Sequence, residues 1–319
     1  MVQIGYTLSS EEHRANDLID DAVKAEETGF AFASISDHFH PWMDSQGHSP
    51  FVWSVLGGIA ARTSKIPIMT GVTPLSLHYH PTIVAQAVAT AADMMPGRFS
   101  FGVGTGEALN EHITGDTWPP VSIRQEMLEE SLEIIRELWE GNYTTVEGAY
   151  YSVHNAKLYT LPEQLPKVIV SATGPESATI AAEIGDALVS TSPNKEVVDA
   201  FHAAGGTDKP VYGQIHLCYD EDEEKARQTA FELWGHSLLG GQASQELSIP
   251  KHYQEAIQSF ATPDLVAESI SCGPDVSKIH QEIQTYIDAG FTHVYLHQIG
   301  ENQQAFFDIA KSEILPKYA

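Results

Sequence analysis

Short apolar runs alternate with amphipathic helical stretches along almost the whole chain, and this alternation constrains the fold more than any other feature. Eight runs are predicted as strands: residues 2–6, 32–35, 66–72, 99–103, 168–172, 186–190, 211–218 and 293–297. Helical periodicity predicts helices between and after them, among them 16–28, 81–95, 122–140, 176–184, 195–204, 221–238, 276–289 and 303–315. Eight strand-helix units predict an α/β protein with a (β/α)8 TIM barrel, and a doubly wound open sheet is the main alternative.

The length of 319 residues suits one barrel domain spanning residues 1–319, and an apolar fraction of 42% is enough for a large core. Four stretches interrupt the regular alternation: 37–50, 106–121, 240–262, and the tyrosine-rich 141–165, which is predicted as a small β excursion. In a barrel the active site is built from the segments that follow the strands. We therefore expect the insertions after strands two and four to carry function.

The charge balance restricts the partners of the protein. Against 17 Lys and Arg residues stand 43 Asp and Glu residues, a net charge of −26, so neither nucleic acid nor an anionic membrane is expected as a partner. The acidity indicates either a solvated acidic surface or a protein of a salty cytoplasm. No run approaches the about 18 apolar residues of a membrane span, and the N-terminus resembles no signal peptide. Cys218 and Cys272 form no C-x-x-C pair, so a cytoplasmic location is predicted.

The sequence FSFGVGTGEALNE at residues 99–111 carries a strand into a glycine-rich loop that ends in a carboxylate. Because Gly102, Gly104 and Gly106 have no side chains, their backbone can approach a ligand closely, and Glu107 follows beside that ligand. The alternative is that Glu107 is only a carboxylate at a helix start. The spacing matches neither a P-loop nor the dinucleotide fingerprint, so neither a nucleoside triphosphate nor NAD is favoured.

A second cluster of polar residues follows strand two, in the sequence SDHFHPW at residues 36–42. A barrel delivers Asp37 and His38 to its active-site face, where His38 is a candidate general base, and Trp42 suits a planar cofactor. The alternative is that Asp37 caps a turn and that His38 bonds within the loop. Considered alone, this segment leaves both interpretations open.

Two further strand ends are candidate ligand contacts. The sequence TGVTP at residues 70–74 ends strand three, although a plain strand exit explains it equally well. The sequence VSATGPE at residues 170–176 ends strand five, and Pro175 would stand in the first turn of a helix whose N–H groups suit an anion. This second strand end is the best anion site that the spacing offers.

Metal and hydrolase chemistry are both disfavoured. His38 and His40, like His78 and His80, form H-x-H pairs on predicted extended segments. Barrel hydrolases that use such a pair place it on the first strand and add histidines from strands five and six, which hold none here. No G-x-S-x-G nucleophile elbow occurs in the sequence.

Taken together, SDHF at residues 36–39, PW at 41–42, GTGEALNE at 104–111 and ATGP at 172–175 resemble the luciferase-like barrel family. The resemblance runs nearly end to end and is strongest to the branch that uses coenzyme F420, the F420-dependent glucose-6-phosphate dehydrogenase branch. It implies an F420-dependent oxidoreductase that acts on CH–OH groups. An FMN-dependent monooxygenase of the same superfamily and a non-catalytic cofactor-binding barrel are the alternatives, with FMN as the alternative cofactor.

The resemblance also implies roles for individual residues. The deazaflavin would contact Asp37, Gly71, Val72, Thr105, Gly106, Glu107, Asn110, Ala172, Thr173, Gly174 and Pro175. The Gly71–Val72 peptide bond would be cis, and Gly71 stands where relatives have Ser. His38 would be the base for the substrate hydroxyl and Glu107 the acid beside the cofactor. Trp42 and Glu11 would complete the catalytic set.

Departures from the sugar-phosphate enzymes change the expected substrate. Lys195 is a displaced match to one of their phosphate-binding residues, whereas Ala256 and Glu282 stand where two others would be basic. A phosphate dianion needs charge-assisted partners, so a neutral alcohol, sugar or carbonyl compound is expected rather than glucose 6-phosphate. Lys195 and Trp234 are the candidate substrate contacts, and the resemblance implies a homodimer.

Overall fold

A computed structural model of the protein describes residues 2–319. Its strands are β1 (Gln3–Leu8), β2 (Phe32–Ile35), β3 (Ile68–Thr70), β4 (Thr73–Pro74), β5 (Phe99–Gly104), β6 (Thr144–Glu147), β7 (Ser152–Ala156), β8 (Lys167–Ser171), β9 (Ala187–Ser190), β10 (Val211–Cys218), β11 (Ser271–Cys272) and β12 (His293–Gln298). Its α-helices are α1 (Ala15–Thr28), α2 (Val52–Arg62), α3 (Pro81–Met94), α4 (Ala108–Glu111), α5 (Val121–Trp139), α6 (Pro175–Ile184), α7 (Lys195–Phe201), α8 (Glu223–Trp234), α9 (Gln242–Glu246), α10 (Pro250–Ile257), α11 (Pro263–Val266), α12 (Val276–Asp288) and α13 (Gln303–Ile309).

The strands close into a parallel barrel. Around the ring the order is β1, β2, β3, β5, β8, β9, β10 and β12, and β12 pairs with β1. The eight strands of the sequence analysis are the eight strands of this ring, which confirms the predicted (β/α)8 barrel. The predicted excursion is confirmed as the antiparallel hairpin of β6 and β7.

Two local differences from the sequence prediction concern the third strand and α2. The strand predicted at 66–72 is shorter in the structure, where β3 covers Ile68–Thr70, and the two-residue strand β4 follows the cis Gly71–Val72 peptide bond. The helix α2 had not been predicted, because Gly57 and Gly58 in its middle lower helix propensity. A Cβ on Gly58 would lie 2.3 Å from Ile19 Cδ1, so this glycine allows α1 and α2 to pack closely.

Apolar side chains fill both faces of the barrel wall. The alternation along each strand sends one set of side chains outward to the helices and the other set inward. The inner cluster contains Phe32, Met69, Ile169, Val189 and Tyr295 from five different strands. The barrel interior is therefore a packed core, and the space for a ligand lies above it, at the carboxyl ends of the strands. No helix within residues 2–319 has both the length and the apolar character needed to cross a membrane.

Candidate active site

A cavity of about 700 Å³ opens at the carboxyl ends of the barrel strands. Predicted site residues that line it are Glu11, His38, Trp42, Gly71, Val72, Thr105, Gly106, Glu107, Thr173, Gly174, Pro175 and Trp234. Asp37, Asn110 and Ala172 are buried and are not among the residues that line the cavity. Lys195 is the exception: it lies outside the lining, is exposed and pairs with Asp199.

Gly104 and Gly106 line one wall of the cavity, which we call the glycine wall. A Cβ on Gly104 would lie 2.9 Å from Val72 Cγ2. Gly102 is outside the lining; a Cβ there would lie 1.9 Å from the Thr70 carbonyl oxygen, so this glycine allows β3 and β5 to approach closely. Gly106 has a φ of +74°, in the left-handed region that favours glycine. This loop therefore presents backbone to the cavity and can lie flat against a planar group.

The glycine at position 71 has a specific neighbour. A Cβ there would lie 2.1 Å from the Ser34 hydroxyl oxygen, and Ser34 itself lines the cavity. The space that a serine at position 71 would use is thus already filled from the adjacent strand. The predicted cis peptide bond between Gly71 and Val72 is confirmed.

His38 is held with one ring nitrogen directed at the protein. Its Nδ1 lies 3.3 Å from the His40 carbonyl oxygen, which only accepts, so in the neutral imidazole the proton is on Nδ1 and the lone pair is on Nε2. The Glu11 carboxylate is 3.6 Å from the same Nδ1. Glu11 in turn accepts a hydrogen bond from the Ser36 hydroxyl at 2.7 Å. The arrangement orients an imidazole with a free basic nitrogen, which is what a general base requires.

Glu107 immediately precedes the short helix α4 and lines the cavity. Burial raises the pKa of its carboxyl, the negative charge of Glu111 adds to this, and the nearby His38 opposes it. A raised pKa favours the protonated form of a carboxyl, which can donate. Three residues later Asn110 Oδ1 accepts the backbone N–H groups of Phe39 and His40 at 2.9 and 3.0 Å. Asn110 therefore fixes the loop that carries His38 to the loop that carries Glu107.

Asp37 supports the same corner from behind. Thr73 Oγ1 donates to its carboxylate at 2.8 Å and the Tyr79 hydroxyl donates at 3.2 Å. Burial raises the pKa of Asp37 to about 6, against the lowering effect of these hydrogen bonds and of nearby histidines. Asp37 therefore ties β2 to the cis-peptide segment and titrates near neutrality.

Glu111 fastens the segment after β4 to the glycine loop. Its carboxylate accepts hydrogen bonds from the Ser76 hydroxyl at 2.7 Å, from the Leu77 N–H at 2.7 Å and from His78 Nδ1 at 2.5 Å. Burial works to raise its pKa, but these hydrogen bonds and the charge of His78 lower it overall. Glu111 does not line the cavity, but its hydrogen bonds fix the position of the glycine loop.

The helix α6 begins at the cavity rim, where the sequence predicted an anion site. Pro175 is its first residue, and the Ser177 hydroxyl accepts a hydrogen bond from the backbone N–H of the capping residue Gly174 at 3.2 Å. Gly174, Glu176 and Ser177 all line the cavity. The start of this helix therefore offers backbone donors and a favourable dipole to a ligand.

One histidine of each H-x-H pair serves the fold in the structure. His40 Nδ1 donates to the Leu109 carbonyl at 2.8 Å, and His78 pairs with Glu111. Within residues 2–319, no group of three or more His, Cys, Asp or Glu side chains is placed to hold a metal ion.

Four residues of the cavity region were missed by sequence reasoning: Glu12, His216, His236 and His297. Glu12 lies next to the predicted Glu11, but its partners Trp234, His297 and Gly300 are more than two hundred residues away. No local spacing signals such a network.

The fold and the site together define a (β/α)8 barrel whose active-site face holds a glycine-walled cavity with a histidine-carboxylate pair. The luciferase-like monooxygenase family matches residues 1–293, and the chain belongs to this family.

Several relatives match over almost their whole length. An F420-dependent glucose-6-phosphate dehydrogenase of Microbacterium testaceum is 34% identical, with 99% of this chain and 97% of that protein covered. One of Amycolatopsis mediterranei is 33% identical over 99% of this chain and 98% of that protein. An F420-dependent secondary alcohol dehydrogenase, solved with an F420-acetone adduct, superposes with a TM-score of 0.91 at 30% identity and covers 100% of this chain and 99% of that one.

Proposed function

We propose that the protein is an F420-dependent oxidoreductase that moves a hydride between the deazaflavin and the carbinol or carbonyl carbon of an uncharged substrate. The observation that carries this proposal is that His38, Trp42 and Glu107 meet around the glycine wall of one cavity. The similarity to F420-dependent dehydrogenases of sugar phosphates and of secondary alcohols supports it.

The residues present fit the cofactor. Gly104 and Gly106 leave a part of the wall without side chains, which accepts a flat ring system. The start of α6 lies at the rim and suits an anionic group. A Lys or Arg side chain lines the cavity nowhere within residues 2–319, so backbone groups rather than side-chain cations would meet the cofactor's negative charge.

The bound deazaflavin supplies a two-electron hydride acceptor or donor. His38 Nε2 accepts the proton of the substrate hydroxyl, and the His40 carbonyl and Glu11 hold the ring for this transfer. Glu107 lies beside the space for the ring system, and burial raises the pKa of its carboxyl, which favours the form that can donate a proton. The Trp42 ring lies 5.0 Å from that of His38 and shields the reacting atoms from water.

Titration of the purified protein with F420 and with FMN tests the cofactor. We expect F420 binding and loss of the oxidised deazaflavin absorbance when an alcohol or sugar is added. Binding of FMN without F420 would overturn the proposal in favour of a monooxygenase. Binding of F420 without turnover of any alcohol, sugar or carbonyl compound would favour a non-catalytic cofactor carrier.

His38→Ala tests the base. We expect turnover to fall by about 10²–10⁴-fold, the usual contribution of a positioned acid-base group, while the Kd for F420 stays within about twofold. His154→Ala on the exposed hairpin is the matched control and should behave as wild type. Full activity of His38→Ala would exclude His38 as the base.

The partner of the protein is proposed to be a second copy of itself. Phe51, Ile83 and Met94 expose 57%, 60% and 44% of their surface around a groove between α2 and α3 that also contains Trp53. Exposed apolar side chains gathered in this way mark an interface, and the family resemblance supports a homodimer. Sedimentation should show a dimer that Ile83→Glu dissociates and that Tyr159→Glu, on a distant exposed surface, leaves intact.

A reducing cytoplasm is the proposed location. Cys218 and Cys272 are register neighbours on adjacent strands, yet both are buried free thiols. Recovery of the protein from a cytosolic fraction of its own cells would test this location, and recovery outside the cell would contradict it.

A further inference from the structure

One wall of the cavity is built from histidines that the proposed hydride chemistry does not use. We call His216, His236 and His297, together with Trp234, the histidine wall; all four line the cavity. The histidine wall is in contact with the residues around His38. Trp42, beside His38, stacks on His236 with ring centroids 5.1 Å apart, and Trp234 lies 4.9 Å from His236. A substrate held at His38 therefore extends along this wall.

Glu12 fixes the wall from behind. Its carboxylate accepts hydrogen bonds from Trp234 Nε1 at 2.6 Å, from His297 Nε2 at 2.7 Å and from the Gly300 N–H at 2.6 Å. Burial works to raise its pKa, but the hydrogen bond and charge of His297 and the other contacts lower it to about 2. Since an ionised carboxylate only accepts, His297 Nε2 is the donor in this pair.

Polar atoms of the wall are left without partners. His297 and His236 are 1% and 7% exposed, and within residues 2–319 no group hydrogen-bonds to the Nδ1 atom of either ring. Both of these Nδ1 atoms are enclosed by protein. The other ring nitrogen of His236 and the imidazole of His216 are not enclosed in this way, they form no side-chain hydrogen bond within residues 2–319, and both residues line the cavity. These are the nitrogen atoms that a ligand hydroxyl can reach.

The electrostatics of the wall select an uncharged ligand. Burial, with a smaller contribution from neighbouring histidines, lowers the pKa of His236 to about 3 and that of His216 well below its usual value, so both are neutral at pH 7. The Glu12 carboxylate bonds directly to His297, Glu11 lines the cavity, and no Lys or Arg of residues 2–319 does. A phosphate or carboxylate on the substrate would find acceptors and negative charge rather than cations.

We propose that the histidine wall binds the additional hydroxyl groups of an uncharged polyhydroxylated substrate, a free sugar or polyol whose reacting carbinol lies at His38. This inference rests on the proposed F420-dependent oxidation and names the substrate class of that site. Glu12 is a positioning residue in it, because it holds His297 and Trp234 in place.

The test compares three substrates on the F420-loaded enzyme: glucose, 2-propanol and glucose 6-phosphate. His236→Phe keeps the ring stacking and removes both nitrogens, and it breaks no side-chain hydrogen bond of the structure. We expect kcat/KM for glucose to fall about 3- to 10-fold, mainly through KM, as loss of one neutral hydrogen bond predicts. The value for 2-propanol and the Kd for F420 should stay within about twofold.

Two further variants keep the result interpretable. His236→Gln restores hydrogen-bonding atoms and should recover part of the lost affinity for glucose. His293→Phe, at the other end of β12 and outside the cavity lining, should match wild type for both substrates. A binding readout that needs no turnover is saturation-transfer NMR with methyl α-glucoside, whose signal should weaken in His236→Phe and persist in His293→Phe.

The outcomes separate this inference from the proposed function. Failure of the wild type to bind F420 sinks the proposed function itself. If the wild type binds F420 and oxidises 2-propanol, then equal losses for glucose and 2-propanol in His236→Phe overturn only the histidine-wall inference. A preference of the wild type for glucose 6-phosphate over glucose also overturns it, because the wall would then serve an anion.

Discussion

The titration of Asp37 offers the sharpest test of the structure, and Asp37→Asn is the variant that reports it. Asp37 is buried behind the cavity, where the Thr73 and Tyr79 hydroxyls are the groups of residues 2–319 that donate to its carboxylate. The substitution keeps the size of the side chain and removes its charge. Any hydrogen bond lost in the variant changes the free energy of unfolding by the same amount at every pH. The loss of the charge instead changes how the free energy of unfolding depends on pH.

The magnitude follows from the pKa. Burial raises the pKa of Asp37 from 3.8 to about 6 in the folded state, and each unit corresponds to about 1.4 kcal/mol. The folded state binds this proton more tightly than the unfolded state, so ionisation of Asp37 destabilises the fold. The destabilisation is absent below pH 3.8, grows between pH 3.8 and 6, and reaches about 3 kcal/mol above pH 6. About 2 kcal/mol of it develops between roughly pH 4.5 and pH 7.5.

Scanning calorimetry across this pH range measures the effect. We expect the Tm of Asp37→Asn to gain about 3 °C relative to wild type between pH 4.5 and pH 7.5, since a chain of this length unfolds with an entropy of roughly 0.7 kcal/mol/K. Asp93→Asn, on the exposed side of α3, is the control and should show a constant difference from wild type. A Tm difference that does not change with pH for Asp37→Asn would refute the argument that burial dominates at this site.

Three further outcomes are expected. Gly71→Ser should lower the Tm because its Cβ meets the Ser34 hydroxyl, and Ser34→Ala in the same chain should restore most of the loss; additive effects of the two substitutions would contradict this contact. Glu111→Gln should weaken F420 binding and lower the free energy of unfolding by about 1–3 kcal/mol, because an amide cannot accept from all the donors now directed at the carboxylate. Unchanged affinity for F420 would show that these hydrogen bonds are not needed for cofactor binding. Raising KCl from about 0.05 M to about 1 M should tighten F420 binding in a fluorescence titration, because salt screens the repulsion between an anionic cofactor and a chain of charge −26; weaker binding would indicate direct cation contacts.

The barrel was predictable because its signal is local and repeated. Each strand of the ring is a short apolar run, and burial on both faces makes such runs nearly continuous in a parallel sheet. The helix α2 escaped prediction although Val52, Val55, Leu56 and Ile59 are buried at helical spacing. Its glycines favour other local structures, and the close approach to Ile19 that justifies Gly58 is a tertiary contact with no trace in the local sequence.

The site was predictable where a motif is contiguous. The loops that carry His38 and Glu107 each lie within one short segment, and resemblance assigned the Gly71–Val72 cis bond that the structure contains. The histidine wall has no such segment, since its members come from two strands and the end of α8. Glu12 gains its role only when β12 and α8 arrive beside β1. Lys195 is the opposite case. Its position in the sequence suggested a substrate contact, but the residue lies outside the cavity lining and pairs with Asp199.

The cavity divides into two chemically different walls, and this division explains why its cofactor side resembles the relatives while its substrate chemistry can differ. The side formed after β3, β5 and β8 presents glycines and backbone groups, which recognise a flat ring and tolerate few substitutions because a Cβ on Gly104 would meet Val72 and Ser171. The opposite side presents the imidazoles of His216, His236 and His297, whose side chains rather than backbone face the substrate. His38 and Trp42 lie between the two sides, so the same base can serve one cofactor and a different substrate wherever the second wall changes.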